Sequence, residues 1–118
     1  MELKISSRSQ DDLAVVTVGG EIDLYTAPRL RDELIAALDE GARRLVIDMS
    51  STEFCDSTGI SVLLSAMKRS RDKGGDLELV APKPAVMKVL EVTGLHEVFV
   101  IHPDTDALPV AAGTGTAS

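Results

Sequence analysis

Three neighbouring runs decide the architecture: Leu45-Val46-Ile47, then Phe54-Cys55-Asp56-Ser57-Thr58-Gly59, then Ile60 to Met67. The first is nearly unbroken β-branched and aliphatic sequence, which suits a strand covered on both faces, as in a parallel sheet. In the last, Ile60, Leu63, Leu64 and Met67 recur at i, i+3, i+4 and i+7, which predicts an amphipathic helix. Asp56 and Ser57 therefore sit where a strand-fed loop turns into the first turn of a helix. That turn has N–H groups without intrahelical partners and carries the positive end of the helix dipole. A hydroxyl placed there can cap the helix, or it can carry a phosphate whose charge suits the position. Asp56 is itself a good cap and leaves the Ser57 hydroxyl available. Thr58 and Gly59 keep the following turn small, so that the backbone of another protein can approach.

Downstream of this centre, the helix closes on the basic turn Lys68-Arg69-Arg71 and stops at Lys73-Gly74-Gly75. Leu77 to Ala81 reads as a strand broken by Pro82-Lys83-Pro84. Pro84 then opens a helix with Val86, Met87, Val89 and Leu90 as its apolar positions and Gly94 as its end. Val98 to Ile101 is a last short strand, and Asp104 to Leu108 starts a final helix that Pro109 limits. Upstream, Leu3 to Ser7 reads as an edge strand and Ser9 to Asp12 as a turn. Leu13 to Val18 is a valine-rich strand that Gly19-Gly20 ends. Thr26-Ala27-Pro28 starts a helix whose stripe is Ala27, Leu30, Leu34, Ala37 and Leu38, and Gly41 stops it.

Strands alternating with helices predict an α/β fold with right-handed crossovers. The two N-terminal strands have no helix between them, so the sheet is mixed, backed by about four helices in a single layer on one face. Residues 1–108 form the domain, and 109–118, which lack apolar anchors, are expected to be a disordered tail. In such sheets, sites form at the carboxyl ends of the parallel strands, where the Phe54–Gly59 stretch lies.

Composition narrows the function. A chain of 118 residues with a net charge of −7 lacks the basic footprint that nucleic acid or an anionic membrane requires. One cysteine permits no internal disulfide, which fits a reducing cytosol. Met1-Glu2-Leu3-Lys4 has no apolar signal core, and no apolar run approaches membrane-spanning length. His96 and His102 are isolated and are expected to cap or line loop turns, so neither a metal nor a cofactor is expected. Glu21 and Asp23 share a face of an extended segment, but no His, Lys or serine-base arrangement accompanies them, so an enzyme is not expected. Cys55 reads as a small buried hydrophobe.

Gly20-Glu21-Ile22-Asp23-Leu24-Tyr25-Thr26-Ala27, together with Phe54-Cys55-Asp56-Ser57-Thr58-Gly59, resembles the two signature stretches of the bacterial anti-sigma factor antagonists, the small STAS-domain proteins. The similarity continues through Gly74-Gly75 and Val92-Thr93-Gly94-Leu95 and covers about residues 1 to 108. The resemblance implies a STAS-type mixed sheet and a cytoplasmic protein switch. The unmodified antagonist binds an anti-sigma factor that is also a serine kinase, and so releases a sigma factor. The kinase phosphorylates the serine after the aspartate, which maps to Ser57, and a PP2C-type serine phosphatase reverses this. The expected partner surface comprises Asp23, Thr26, Asp56, Ser57, Thr58, Gly59 and Ser61, on a monomer or weak dimer. Family members often continue Gly-Leu-Gly-Val where this chain has Gly59-Ile60-Ser61-Val62, so Ser61 is bulkier than the usual glycine. The alternative is a STAS scaffold or transport-system subunit that binds a protein partner without a kinase.

Overall fold

The valines of the second strand and the Leu45–Ile47 run lie side by side in one five-stranded sheet, as their β-branched composition suggests. The computed structural model describes residues 3–109. Strands β1 (Leu3–Gln10), β2 (Leu13–Ile22), β3 (Arg44–Cys55), β4 (Asp76–Val80) and β5 (Val100–His102) are ordered in space as they are in sequence. The β1–β2 pair is antiparallel and the other pairs are parallel, so the sheet is mixed. Helices α1 (Ala27–Asp39), α2 (Ser57–Asp72) and α3 (Pro84–Val92) connect the parallel strands. Each crossover steps the same way along the sheet, and by the right-handed rule this places all three helices on one face, where their buried residues share one cluster.

Alternation along the strands sorts the core into two parts. Ala14, Val16 and Val18, Leu45, Ile47 and Met49, and Leu77 and Leu79 belong to one buried cluster with Leu30, Leu34, Leu38, Leu63, Met67, Val86 and Leu90 of the helices. The in-between residues Val15, Val46 and Val80 form a second cluster on the other face, where Leu13, Ala81 and Leu108 pack against them. The Leu45–Ile47 strand is thus covered on both sides, with the segment after β5 supplying the cover that no helix provides. Pro109, the first residue of the expected tail, accepts a hydrogen bond from Arg8 Nη2 at 3.0 Å. The rest of that tail lies outside the described residues.

Several elements differ from the sequence expectation. Gly19-Gly20 does not end β2. The strand continues to Ile22, with shifts of register between Thr17 and Gly19 and between Gly20 and Glu21. Gly20, at φ +104°, takes a backbone conformation closed to most side chains, so the chain bends and stays paired. Likewise Phe54 and Cys55 belong to β3 itself. Its polar second half is held by pairing Ser51 with Gly19 and Cys55 with Ile22, and by Thr52 Oγ1 donating to Val18 O at 2.7 Å. The fourth helix is a single 3-10 turn, Thr105–Ala107, capped by Asp104, and the α-helices number three among the described residues. The last strand begins at Val100, because a 3-10 turn at Leu95–Glu97 occupies the preceding chain. His102 is in that strand and lies 2.9 Å from Glu78 Oε1, so it does not line a turn. The Arg44 guanidinium grips the same carboxylate and holds its pKa below the ordinary value.

Pairing with β4 stops at Asp48, while pairing with β2 continues to Cys55. The ends of β2 and β3 therefore project past β4 and β5 and carry the two loops that follow them.

Candidate functional site

Ile22 and Cys55 are register partners at the last step of the β2–β3 ladder. The loops Asp23–Thr26 and Asp56–Gly59 thus emerge next to each other at the carboxyl ends of adjacent parallel strands, although the whole of α1 and β3 separates them in sequence. The Asp56 N–H donates to Ile22 O at 3.0 Å and ties one loop to the other.

Asp56 caps α2. Its backbone is extended, and Oδ1 accepts from Thr58 N at 2.9 Å, from Gly59 N at 3.2 Å and from the Thr58 hydroxyl. Desolvation pushes this carboxyl's pKa up. The Thr58 hydroxyl and the N–H groups of Gly59, Thr58 and Leu24 together outweigh it and hold the group below its ordinary value, ionised at neutral pH. Ser57 is the first residue of the helix and is exposed, and among the described residues nothing hydrogen-bonds its hydroxyl. Ser61 is exposed one turn on, on the same face of α2. Thr58 is half-buried.

Gly59 is buried, and the close approach it permits is internal. A Cβ there would come within 2.5 Å of Ile22 Cγ2 and 2.6 Å of Cys55 Sγ. The glycine lets the first turn of α2 press against the ends of both strands, which fixes where Ser57 stands. Cys55 is the floor of that contact. Burial first, and the charge of Asp56 second, push its thiol up to about 12, which leaves it protonated and unreactive.

The other loop is closed upon itself. Asp23 Oδ1 accepts from Tyr25 N at 2.9 Å and from Thr26 N at 3.0 Å. Thr26 is 8% exposed, and its hydroxyl donates to Glu21 O and accepts from Asp23 N, both at 2.8 Å. Thr26 is the cap residue of α1, yet its side chain bonds no helical N–H; it braces the loop from inside. With Asp23 committed to this loop and Asp56 to its cap, neither is a free catalytic base. Among the described residues, no group of three or more His, Cys, Asp or Glu is placed to hold a metal ion, and no helix is long and apolar enough to cross a membrane.

Comparison with known proteins gives this geometry a family. The STAS domain model matches residues 4–108. The chain belongs to the STAS domain family. An anti-sigma factor antagonist from Mycobacterium paratuberculosis, known as a crystal structure, is 32% identical, with 89% of each chain covered and a TM-score of 0.79. The anti-sigma-B factor antagonist of Staphylococcus aureus strain NCTC 8325 is 27% identical over 90% of this chain and 98% of its own. The Bacillus cell fate determinant SpoIIAA, solved in its phosphorylated form, shares the fold, with 19% identity, 91% and 96% coverage and a TM-score of 0.69. The STAS fold thus accounts for the mixed sheet, with three helices where about four are expected from sequence.

Of the residues expected to meet a partner, Ser57 and Ser61 are exposed, Asp23, Asp56 and Thr58 are half-buried, and Thr26 and Gly59 lie beneath the surface they shape. Sequence reasoning passed over the side chains that do stand out beside them. Tyr25 is 85% exposed, Leu24 62% and Phe54 43%. The available signal was their position, since large apolar residues in a short loop at a strand end have no core to enter.

Proposed function

We propose that this chain is a cytoplasmic anti-sigma factor antagonist switched by phosphorylation of Ser57. Unphosphorylated, it binds an anti-sigma factor that is also a serine kinase, and a sigma factor is released. The kinase transfers the γ-phosphoryl group of ATP to Ser57 Oγ. The Oγ–P bond forms as the bond to ADP breaks, and the hydroxyl proton passes to a base of the kinase. A PP2C-type serine phosphatase restores the free hydroxyl. The chain supplies an acceptor and a binding surface and no catalytic apparatus of its own.

The observation that carries this reading is the unengaged Ser57 hydroxyl at the start of a helix that Asp56 already caps. A phosphate there would face the positive end of α2, so the fold itself should tolerate it. Its charge, beside that of Asp56, would then act on whatever covers the surface, by repulsion and bulk. Relatives named as anti-sigma factor antagonists support the role, and a fold-mate solved in a phosphorylated form supports the compatibility of this fold with a phosphate. Asp23, Thr26, Asp56, Thr58, Gly59 and Ser61 contribute by shaping or flanking the contact.

The test is incubation with ATP and the cognate anti-sigma kinase, read by intact mass, for the wild type and Ser57→Ala. One phosphate on the wild type and none on the variant is the expected result. Tight binding to the anti-sigma factor with no phosphate on either would favour the scaffold reading. Binding of Ser57→Asp as tight as wild type would remove the repulsion mechanism.

A further inference from the structure

Only three aromatic residues occur in this chain, and two of them, Tyr25 and Phe54, are exposed at the ends of β2 and β3 while Phe99 is in the core. A chain whose core is otherwise built from aliphatic side chains has left two of its three aromatic residues at the surface. Leu24, next to Tyr25, is exposed as well. Phe54 precedes the Cys55 that pairs with Ile22, so it stands at the same end of the sheet as the loop bearing Leu24 and Tyr25. The Asp56 N–H donates to Ile22 O at 3.0 Å, which ties the strand end leading into that loop to the cap of α2.

We infer that Leu24, Tyr25 and Phe54 form an apolar clamp that supplies most of the affinity for the kinase that acts on Ser57. This inference rests on the function proposed above. The occupant follows from position, because a protein that brings its ATP to Ser57 Oγ must cover the adjoining strand ends. The loop is already rigid: Asp23 Oδ1 and Thr26 Oγ1 hold it through the four bonds to Tyr25 N, Thr26 N, Asp23 N and Glu21 O. Little entropy is therefore lost when its side chains are buried by a partner. Rigid aromatic anchors in a water-excluding contact are the usual energetic centre of an interface. The matching surface is an apolar slot with a cationic rim, since Glu21 and Asp56 border the clamp and the chain's net charge is −7. Under this division of labour, Asp23 and Thr26 are positioning residues that hold the anchors, and the anchors make the contact. A second exposed apolar group, Val92, Val98 and Val100, belongs to the end of α3 and the approach to β5 and contains no aromatic residue.

The test is steady-state phosphorylation of the full chain by its cognate kinase at saturating ATP, comparing wild type, Tyr25→Ala, Leu24→Ala and Val92→Ala. Tyr25→Ala is expected to raise KM about tenfold with kcat within about twofold, Leu24→Ala to raise it less, and Val92→Ala to leave it unchanged. Thermal melting should match wild type for the Tyr25 and Leu24 variants, because neither side chain is buried. Wild-type KM in both clamp variants, or an equal rise in Val92→Ala, overturns the clamp while leaving Ser57 as acceptor. A wild-type chain that takes no phosphate overturns the clamp together with the proposed function.

Discussion

Among the described residues an aspartate loop precedes an α-helix twice, and the two turns treat their hydroxyls in opposite ways. Before α1, Asp23 and Thr26 bond to each other's surroundings, and the Thr26 hydroxyl is spent on Glu21 O and Asp23 N in a buried position. Before α2, Asp56 takes all of the capping, with Thr58 as its side-chain partner, and Ser57 is left exposed with no hydrogen-bond partner among the described residues. One turn is a brace and the other a display. The difference lies in what each hydroxyl is bonded to: before α2 the aspartate and Thr58 complete the cap and leave Ser57 unengaged, whereas before α1 the threonine hydroxyl closes the loop.

Substitutions that break the contrast should have graded effects. Gly59→Val is expected to be the most damaging, at about 3 kcal/mol of stability in urea unfolding, because its Cβ would overlap Ile22 and Cys55. A change below about 0.5 kcal/mol would mean that the display turn is not held by this contact. Thr26→Val keeps the shape and removes the hydroxyl, which leaves Glu21 O and Asp23 N without partners at a cost of about 2 kcal/mol. The same variant should raise the KM for phosphorylation, through a loosened Leu24–Tyr25 loop.

Asp56→Ala removes a cap and should cost about 1 kcal/mol at neutral pH. Because the pKa of Asp56 is depressed in the folded chain, its contribution is present above the unfolded value of about 4 and is lost as pH falls through the folded one. The stability gap between wild type and Asp56→Ala should therefore close below about pH 4 in chemical unfolding. A gap that persists undiminished into that range would show that the carboxylate charge is not what stabilises the cap. Ser57→Ala should have the smallest effect on stability, below about 0.5 kcal/mol, since its hydroxyl makes no hydrogen bond among the described residues.

Much of this was legible in the sequence. The order of strands and helices follows from periodicity, and Asp56 as cap with Ser57 in the first turn follows from residue chemistry at a helix start. The hidden parts are those that depend on a distant strand. Ser50 to Glu53 looks like loop because its polar residues hide a strand that β2 completes through Thr52 and Val18. Gly19-Gly20 reads as a stop because a bend that keeps its pairing has the same composition as a turn. Gly59 looks like room for a partner, while its neighbours in space are Ile22 and Cys55. Thr26 and Ser57 are both hydroxyls near a helix start, and no local pattern distinguishes the buried one from the exposed one. The Leu24, Tyr25 and Phe54 surface was missed for a related reason: apolar residues beside a strand are assumed to enter the core until the register shows that they point away from it.

The central claim is the proposal that Ser57 is the phosphate acceptor. Intact-mass analysis after incubation with ATP and the cognate anti-sigma kinase tests it most directly, with wild type, Thr26→Val and Ser57→Ala run side by side. The account predicts one phosphate on the first two and none on Ser57→Ala. Wild-type phosphate yield on Ser57→Ala would contradict it.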